Sequence, residues 1–399
     1  MTVQEYLHDH PEALTEISKI NSIFESYGIS VNEVIKSAQI LRYKLFLPLD
    51  IKAQDKIRKA QKAIEFTLTS ALNSNDIIYG KSENYLYIEK KCSFIPIDSM
   101  KLLNNRPEKG LMLLLGQDID GKPCYTDLRK APHMLVAGTT GSGKSELLHT
   151  FIASLLVKRR INPCWLYIID PKRSEYSMYK NRNGVTLITE TEKAISTLAK
   201  CCDIMESRYK MLEDKHIKDI SQLNDDNVYP IVIIVDELRD LLMQDKSAEY
   251  YLVRLAQKAR ACGIHLILGT QTPRADVLTG ALRANIPTRI ALKTSTAIES
   301  RIIIERNGAD KLFGLGDMLY LGNGAFNPIR IQAAYTNNEQ KNKIASALIY
   351  EAPAEPTQQQ KTYIQEPPKP KKVGLIGGLI NLMKVKPIMF VSENNPPQL

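Results

Sequence analysis

The chain has 399 residues, 44% hydrophobic and 24% charged, with 53 Lys+Arg against 44 Asp+Glu for a net charge of +9. This is ordinary globular composition at a length suited to two or three domains, and it excludes a disordered chain and a disulfide scaffold. The modest basic excess permits an anionic partner such as nucleic acid without requiring one.

Residues 1–11 are polar and acidic, unlike the basic region and apolar core of an export signal. No uncharged apolar stretch reaches about 18 residues, so no membrane-spanning helix is predicted. Six cysteines (Cys92, Cys124, Cys164, Cys201, Cys202, Cys262) show neither C-x-x-C nor zinc spacing. Several sit in apolar runs and read as buried free thiols in a reducing compartment. The expected location is cytoplasmic, or docked to a membrane through something else.

In chain order, residues 1–38 read as a polar, helical N-terminal segment, with Ser30 placed to cap a helix that starts at Val31. Residues 40–49 alternate like a strand and residues 53–72 have helical spacing. Residues 76–80 and 85–89 read as a hairpin turning between Gly80 and Asn84. A small α+β domain is therefore expected over 39–106. From about residue 107 strands alternate with helices. Apolar runs at 134–137, 165–169, 231–235, 265–268 and 289–292 predict an α/β domain over 107–350, its mostly parallel sheet covered by helices on both faces.

After Glu351 the composition shifts to a Pro/Lys-rich, flexible tail over 351–399. Inside it residues 373–383 (VGLIGGLINLM) are apolar and flanked by Lys371, Lys372, Lys384 and Lys386. Such a segment can dock to a membrane surface or a partner. Its shortness and its glycines favour a short helix packed on this protein or on a neighbouring subunit.

Residues 138–145 carry the chemistry: Gly138-Thr139-Thr140-Gly141-Ser142-Gly143-Lys144-Ser145 matches G-x-x-x-x-G-K-[ST]. The glycines let backbone N–H groups turn inward around a β-phosphate. Lys144 neutralises β and γ oxygens, and the Ser145 hydroxyl can ligate Mg²⁺. A short apolar strand precedes the loop and a helical pattern over 146–157 follows, its N-terminus facing the phosphates. The ligand implied is ATP with Mg²⁺.

Residues 230–237 (PIVIIVDE) form an apolar strand ending in two carboxylates. Asp236 is placed to hold Mg²⁺ and Glu237 to polarise an attacking water. Residues 266–271 (LILGTQ) make another strand with an amide at its carboxyl end, the edge where open α/β sheets bind ligands. Gln271 can bond a γ-phosphate or the lytic water, or simply serve a turn. Asp170, before Pro171 and Lys172, can orient water or a neighbouring subunit, or merely end its strand.

Together these residues resemble the FtsK/SpoIIIE family of DNA-pumping ATPases. The likeness runs through residues 131–138, 169–173, 235–238, 254–266, 285–291 and 314–320, and covers about 40 to 335. It implies a RecA-like P-loop ATPase domain preceded by a small α+β domain, with six subunits in a ring around double-stranded DNA and ATP at each subunit interface. A ring of this kind needs an arginine donated in trans; Arg289 matches the family position, with Arg260 as the alternative. The resemblance also places Arg301, Lys311 and Arg330 where the family's channel contacts DNA phosphates without reading sequence.

Three features depart from the family pattern. Thr272 follows Gln271 where the family usually has arginine. The long membrane-spanning N-terminal region and the winged-helix domain after the motor are missing from the sequence. The expected function is thus an ATP-dependent duplex DNA translocase moving DNA for a mobile element, plasmid, virus or chromosome, with a mobile element, plasmid or virus fitting better than chromosome segregation guided by orienting sequences. Alternatives are a type VII-like protein secretion ATPase, which usually carries several motor modules and an anchor, and a viral genome-packaging ATPase.

Overall fold

The computed structural model describes residues 1–74, 76–82, 84–107, 109–157, 163–173, 175–223 and 228–347. The expected tail over 351–399, with its apolar segment at 373–383, lies outside them.

The first part of the chain folds as α1 (Val3–Asp9), α2 (Leu14–Phe24), β1 (Glu33–Lys36), β2 (Ile40–Phe46), α3 (Ile51–Lys59), α4 (Gln61–Ala71), β3 (Ile77–Lys81) and β4 (Tyr85–Lys91). α1 begins at a capping box: Thr2 Oγ1 accepts from the Glu5 amide at 3.3 Å, and Glu5 Oε2 accepts from the Thr2 amide at 2.7 Å. The strands form an antiparallel sheet in the order β1-β2-β4-β3. Ile17, Ile20 and Phe24 of α2 and Ile64 and Leu68 of α4 share one core with Val34, Tyr43, Leu45 and Ile88 of the sheet. Residues 1–38 are therefore part of the small domain and not a segment apart.

Two local expectations are corrected. The helix expected from Val31 is strand β1, because Val34 is fully buried opposite Tyr43 and β-branched Val34 and Ile35 suit a pleated, half-buried edge. The helix expected over 53–72 is two helices broken at Ala60, the first capped by Asp50, which accepts from the Lys52 amide at 3.0 Å.

The rest builds one large sheet. Its elements are β5 (Ile97–Asp98), α5 (Ser99–Leu103), β6 (Met112–Asp118), β7 (Pro123–Asp127), β8 (His133–Ala137), α6 (Lys144–Val157), β9 (Trp165–Ile169), β10 (Val185–Ile188), α7 (Thr191–Asp214) and β11 (Ile231–Val235). There follow α8 (Leu238–Gln244), α9 (Ser247–Lys258), β12 (Ile264–Thr270), α10 (Gly280–Asn285), β13 (Thr288–Leu292), α11 (Ala297–Ile304), β14 (Asp317–Leu321), β15 (Ile329–Tyr335) and α12 (Asn338–Ala347). The order is β10-β9-β11-β12-β8-β13-β14-β15-β6-β7, with β5 beside β15. From β10 to β13 all neighbours are parallel; from β13 onward the main path is antiparallel. Because β5 pairs with β15 at Ile97↔Ala334, the sheet begins before the expected start near 107.

Both faces of the parallel half are buried, which explains the continuous apolar runs. Along β11, Ile231, Ile233 and Val235 enter one core with α7 and α9. Val232 and Ile234 enter the other with α6. No helix of the described residues is long and apolar enough to cross a membrane. None of the six cysteines is in a disulfide, and Cys164, Cys201, Cys202 and Cys262 are buried.

Candidate active site at the carboxyl edge of the parallel strands

Strand register sets the site. Ala137 of β8 lies opposite Thr270 of β12, Leu268 opposite Val235 of β11, and Val235 opposite Ile169 of β9. The residues after these strand ends therefore meet at one edge: the 138–145 loop, Gln271, the Asp236-Glu237 pair and Asp170.

The loop is anchored at both ends. The Lys293 carbonyl, just after β13, accepts from the Thr139 amide at 2.9 Å and from Thr139 Oγ1 at 3.1 Å. The Ser142 carbonyl accepts from the Gly316 amide at 2.8 Å. Two glycines are obligatory here. A Cβ on Gly138 would lie 2.7 Å from Leu292 Cβ, and one on Gly143, at φ +101°, would lie 2.5 Å from the Gly316 amide nitrogen.

Lys144, the first residue of α6, is buried. Its Nζ donates to both the carboxylate and the carbonyl of Asp236, each at 2.6 Å. The Tyr176 phenol donates to the same Asp236 oxygen at 3.0 Å. Burial, then Asp236 itself, push the Tyr176 hydroxyl well above its ordinary range, so it stays a donor.

Glu237 is buried and held in one orientation. Thr270 Oγ1 donates to it at 2.7 Å and the Gln271 amide at 3.0 Å, while Lys172 Nζ stands 3.8 Å away. The Gln271 side chain reaches the loop itself, its Oε1 accepting from Thr140 Oγ1 at 2.9 Å. One edge thus gathers an ammonium, two fixed carboxylates, hydroxyls and an amide around a glycine loop.

Within its own chain Asp170 serves the strand-ending turn. It accepts from the Arg173 and Glu175 amides at 3.1 and 3.3 Å, closing the turn after β9.

A profile of the FtsK/SpoIIIE family matches residues 99–229 and 224–275. The DNA translocase FtsK of Haemophilus influenzae is 35% identical over 376 residues, a match covering 84% of this chain and 71% of that protein. The chain belongs to the FtsK/SpoIIIE family. The DNA translocase FtsK of Bacillus cereus is 34% identical over 397 residues, covering 92% of this chain but 48% of that protein. The chain spans about half the length of the Bacillus relatives it matches. The solved monomer of the pCW3 conjugation coupling protein TcpA with ATPγS has a similar fold, with TM-score 0.58 and 22% identity over 83% of this chain and 99% of that one. The large domain is thus a RecA-like P-loop domain of the FtsK/SpoIIIE type.

The arginines and the lysine singled out through the family resemblance make their bonds elsewhere. Arg289 of β13 is buried, and its guanidinium donates to the carbonyls of Ile286, Ile303 and Arg283 and to Glu305 Oε1 at 2.8 Å. Four of its five N–H donors are engaged inside its own chain. Arg260 is exposed beyond α9, where the chain approaches the amino end of β12.

Arg330 is corrected. It is not an exposed contact for DNA: its guanidinium is bidentate to Asp317 at 2.6 and 2.8 Å and also bonds Glu89 of the small domain. Burial lowers it to about 9, still protonated at neutral pH. Arg301 is exposed and donates to Asn307 at 2.6 Å, and Lys311 is half exposed, 3.7 Å from Glu65 of the small domain. Sequence reasoning missed Tyr176, which had no motif to mark it. It also passed over Thr270, which the LILGTQ strand end could have suggested beside Gln271.

Proposed function

We propose that this chain is the ATP-hydrolysing motor of a double-stranded DNA translocase that works as a hexameric ring. The observation that carries the reading is the meeting of Lys144, Asp236, Glu237 and Gln271 around the 138–145 loop. Kinship with proteins named DNA translocase supports DNA as the substrate. The motor would extend to about residue 350, with the small α+β domain before it and 351–399 as a tail able to dock to a partner or membrane.

The loop fits a phosphate. Gly138 and Gly143 leave backbone where a Cβ would collide, and Ser142 Oγ is buried without a partner. Ser145 and Asp236 offer the hard oxygens that would hold Mg²⁺, which when bound neutralises phosphate charge. Lys144 would exchange the Asp236 carboxylate for phosphate oxygens, releasing that carboxylate toward the metal. Glu237, held by Thr270 and the Gln271 amide, is the general base for the attacking water. The Gln271 side chain, already on Thr140, orients water or the γ-phosphate.

Of the two arginines considered for a role in trans, the exposed Arg260 is the freer. Arg289 would first have to leave four partners. Arg301 and Lys311 are the proposed phosphate contacts on DNA. Displacement of a third strand from linear duplex tests the motor directly. ATP-dependent displacement by the purified chain supports it; ATP hydrolysis with no displacement at any salt concentration would sink translocation while leaving the ATPase standing.

A further inference from the structure

Residues 313–317 form a tight turn at which the small domain and the 138–145 loop meet. Three consecutive residues of it are left-handed: Gly314 at φ +84°, Leu315 at +52° and Gly316 at +88°. Leucine rarely adopts such a φ, so the turn is held from outside. On one side the Gly316 amide donates to the Ser142 carbonyl at 2.8 Å, and Gly316 packs where Gly143 has no side chain.

On the other side the small domain grips the turn twice. Gln39, fully buried between β1 and β2, donates to the Gly314 carbonyl at 2.8 Å and to Gln332 Oε1 at 2.7 Å. Gln332 in turn donates to the Leu315 carbonyl at 2.8 Å. The second grip runs from Arg42 through Glu89 to Arg330 and Asp317, and Asp317 Oδ2 accepts from the Phe313 amide at 2.8 Å. Both paths end on the same five residues.

We propose that Gln39 is a positioning residue for nucleotide binding: through the 313–317 turn, the small domain sets the shape of the loop that takes the phosphates. This rests on the nucleotide reading given above. Leucine at position 39 keeps the volume but removes both donors. The Gly314 and Leu315 carbonyls then lose their fixed anchor, and the strained turn relaxes away from Ser142. Linkage is reciprocal, so phosphate in the loop must also tighten the small domain's grip.

The test is calorimetric titration of the full chain with Mg²⁺ and ATPγS, comparing the parent with Gln39→Leu, Leu68→Ala and Lys144→Ala. Leu68 lies in the small-domain core and is not one of the residues of either grip, so Leu68→Ala loosens that domain without removing a tie. The expected result is a roughly five- to tenfold weaker Kd for Gln39→Leu, a typical coupling between sites, with Leu68→Ala within about twofold of the parent despite a lower Tm. Parent-like binding by Gln39→Leu overturns the proposal, and so does equal weakening by Leu68→Ala, which would mean general loosening. Unchanged binding by Lys144→Ala overturns the nucleotide reading beneath it, so the two failures are told apart. Hydrogen exchange supplies a second readout that survives a poorly folded variant. In the parent, ATPγS slows exchange of the Cys92 amide, which donates to the Gln39 carbonyl at 2.9 Å; no change there contradicts the coupling.

Discussion

Among the described residues, two clusters of buried charge are built from similar parts for different ends. At the carboxyl edge of the parallel strands Lys144 lies on Asp236, with Glu237 alongside. Between the small domain and the antiparallel strands, Arg42 and Arg330 lie on Glu89 and Asp317. Both are desolvated, so burial and ion pairing alone do not mark a site. The second cluster uses planar guanidinium groups, bidentate toward Asp317, and joins elements far apart in sequence. The first uses a single flexible ammonium beside a glycine loop with an orphaned hydroxyl, a pairing that a phosphate can replace. Exchangeability separates chemistry from cement.

Two substitutions test that division, and a titration and a third substitution probe what lies outside it. Glu237→Gln should lower ATP turnover by about 10²–10⁴-fold, the usual worth of a positioned base, while ATPγS binding persists. Loss of binding in step with turnover would make Glu237 structural and erase the contrast. Arg330→Ala leaves Glu89 and Asp317 buried with one cation fewer, and should cost about 3–5 kcal/mol in denaturant unfolding. It should leave the salt dependence of DNA binding unchanged, and a smaller slope would restore Arg330 as a phosphate contact.

Two strands of the large sheet and helix α6 also carry buried histidines that belong to neither cluster: His133 on β8, His265 on β12 and His149 on α6. Burial holds His133 and His149 down to about 3 and His265 to about 4. Their folded values lie below the unfolded value of about 6.5, so the unfolded chain binds more protons in acid. Stability is therefore complete above about pH 6.5. It should fall by about 1.4 kcal/mol per pH unit per histidine as the pH drops toward 4. Unfolding free energies flat from pH 7 to 5 would show these rings to be hydrated. The smallest effect is expected for Arg301→Ala, which should weaken duplex binding modestly and reduce the salt slope by about one unit; an unchanged slope removes Arg301 from the DNA surface.

The parallel half was readable because strands buried on both faces carry unbroken apolar runs, and residues 231–235 announce themselves. β14 and β15 did not, since their apolar runs are interrupted by a buried Asp317 and by the partly exposed Tyr320 and Arg330. The glycine loop and the Asp-Glu pair stand out in the sequence because each is a contiguous motif, although only strand register brings Lys144 to Asp236, 92 residues away. The roles of Arg289 and Arg330 do not, because they depend on distant partners. Glu89 stands 241 residues from Arg330, and a cation in a sequence does not show whether a carboxylate waits across the fold. Gln39 and Tyr176 are legible only in three dimensions for the same reason.

The central claim is that the strand-edge cluster turns over ATP in response to duplex DNA. The most direct measurement is steady-state ATP hydrolysis by the purified chain at low salt, with linear duplex, with single strands and with neither, beside Lys144→Ala. The account predicts stimulation by duplex and its loss, by at least about 10²-fold, in Lys144→Ala. Hydrolysis indifferent to duplex, or surviving the loss of Lys144, would contradict it.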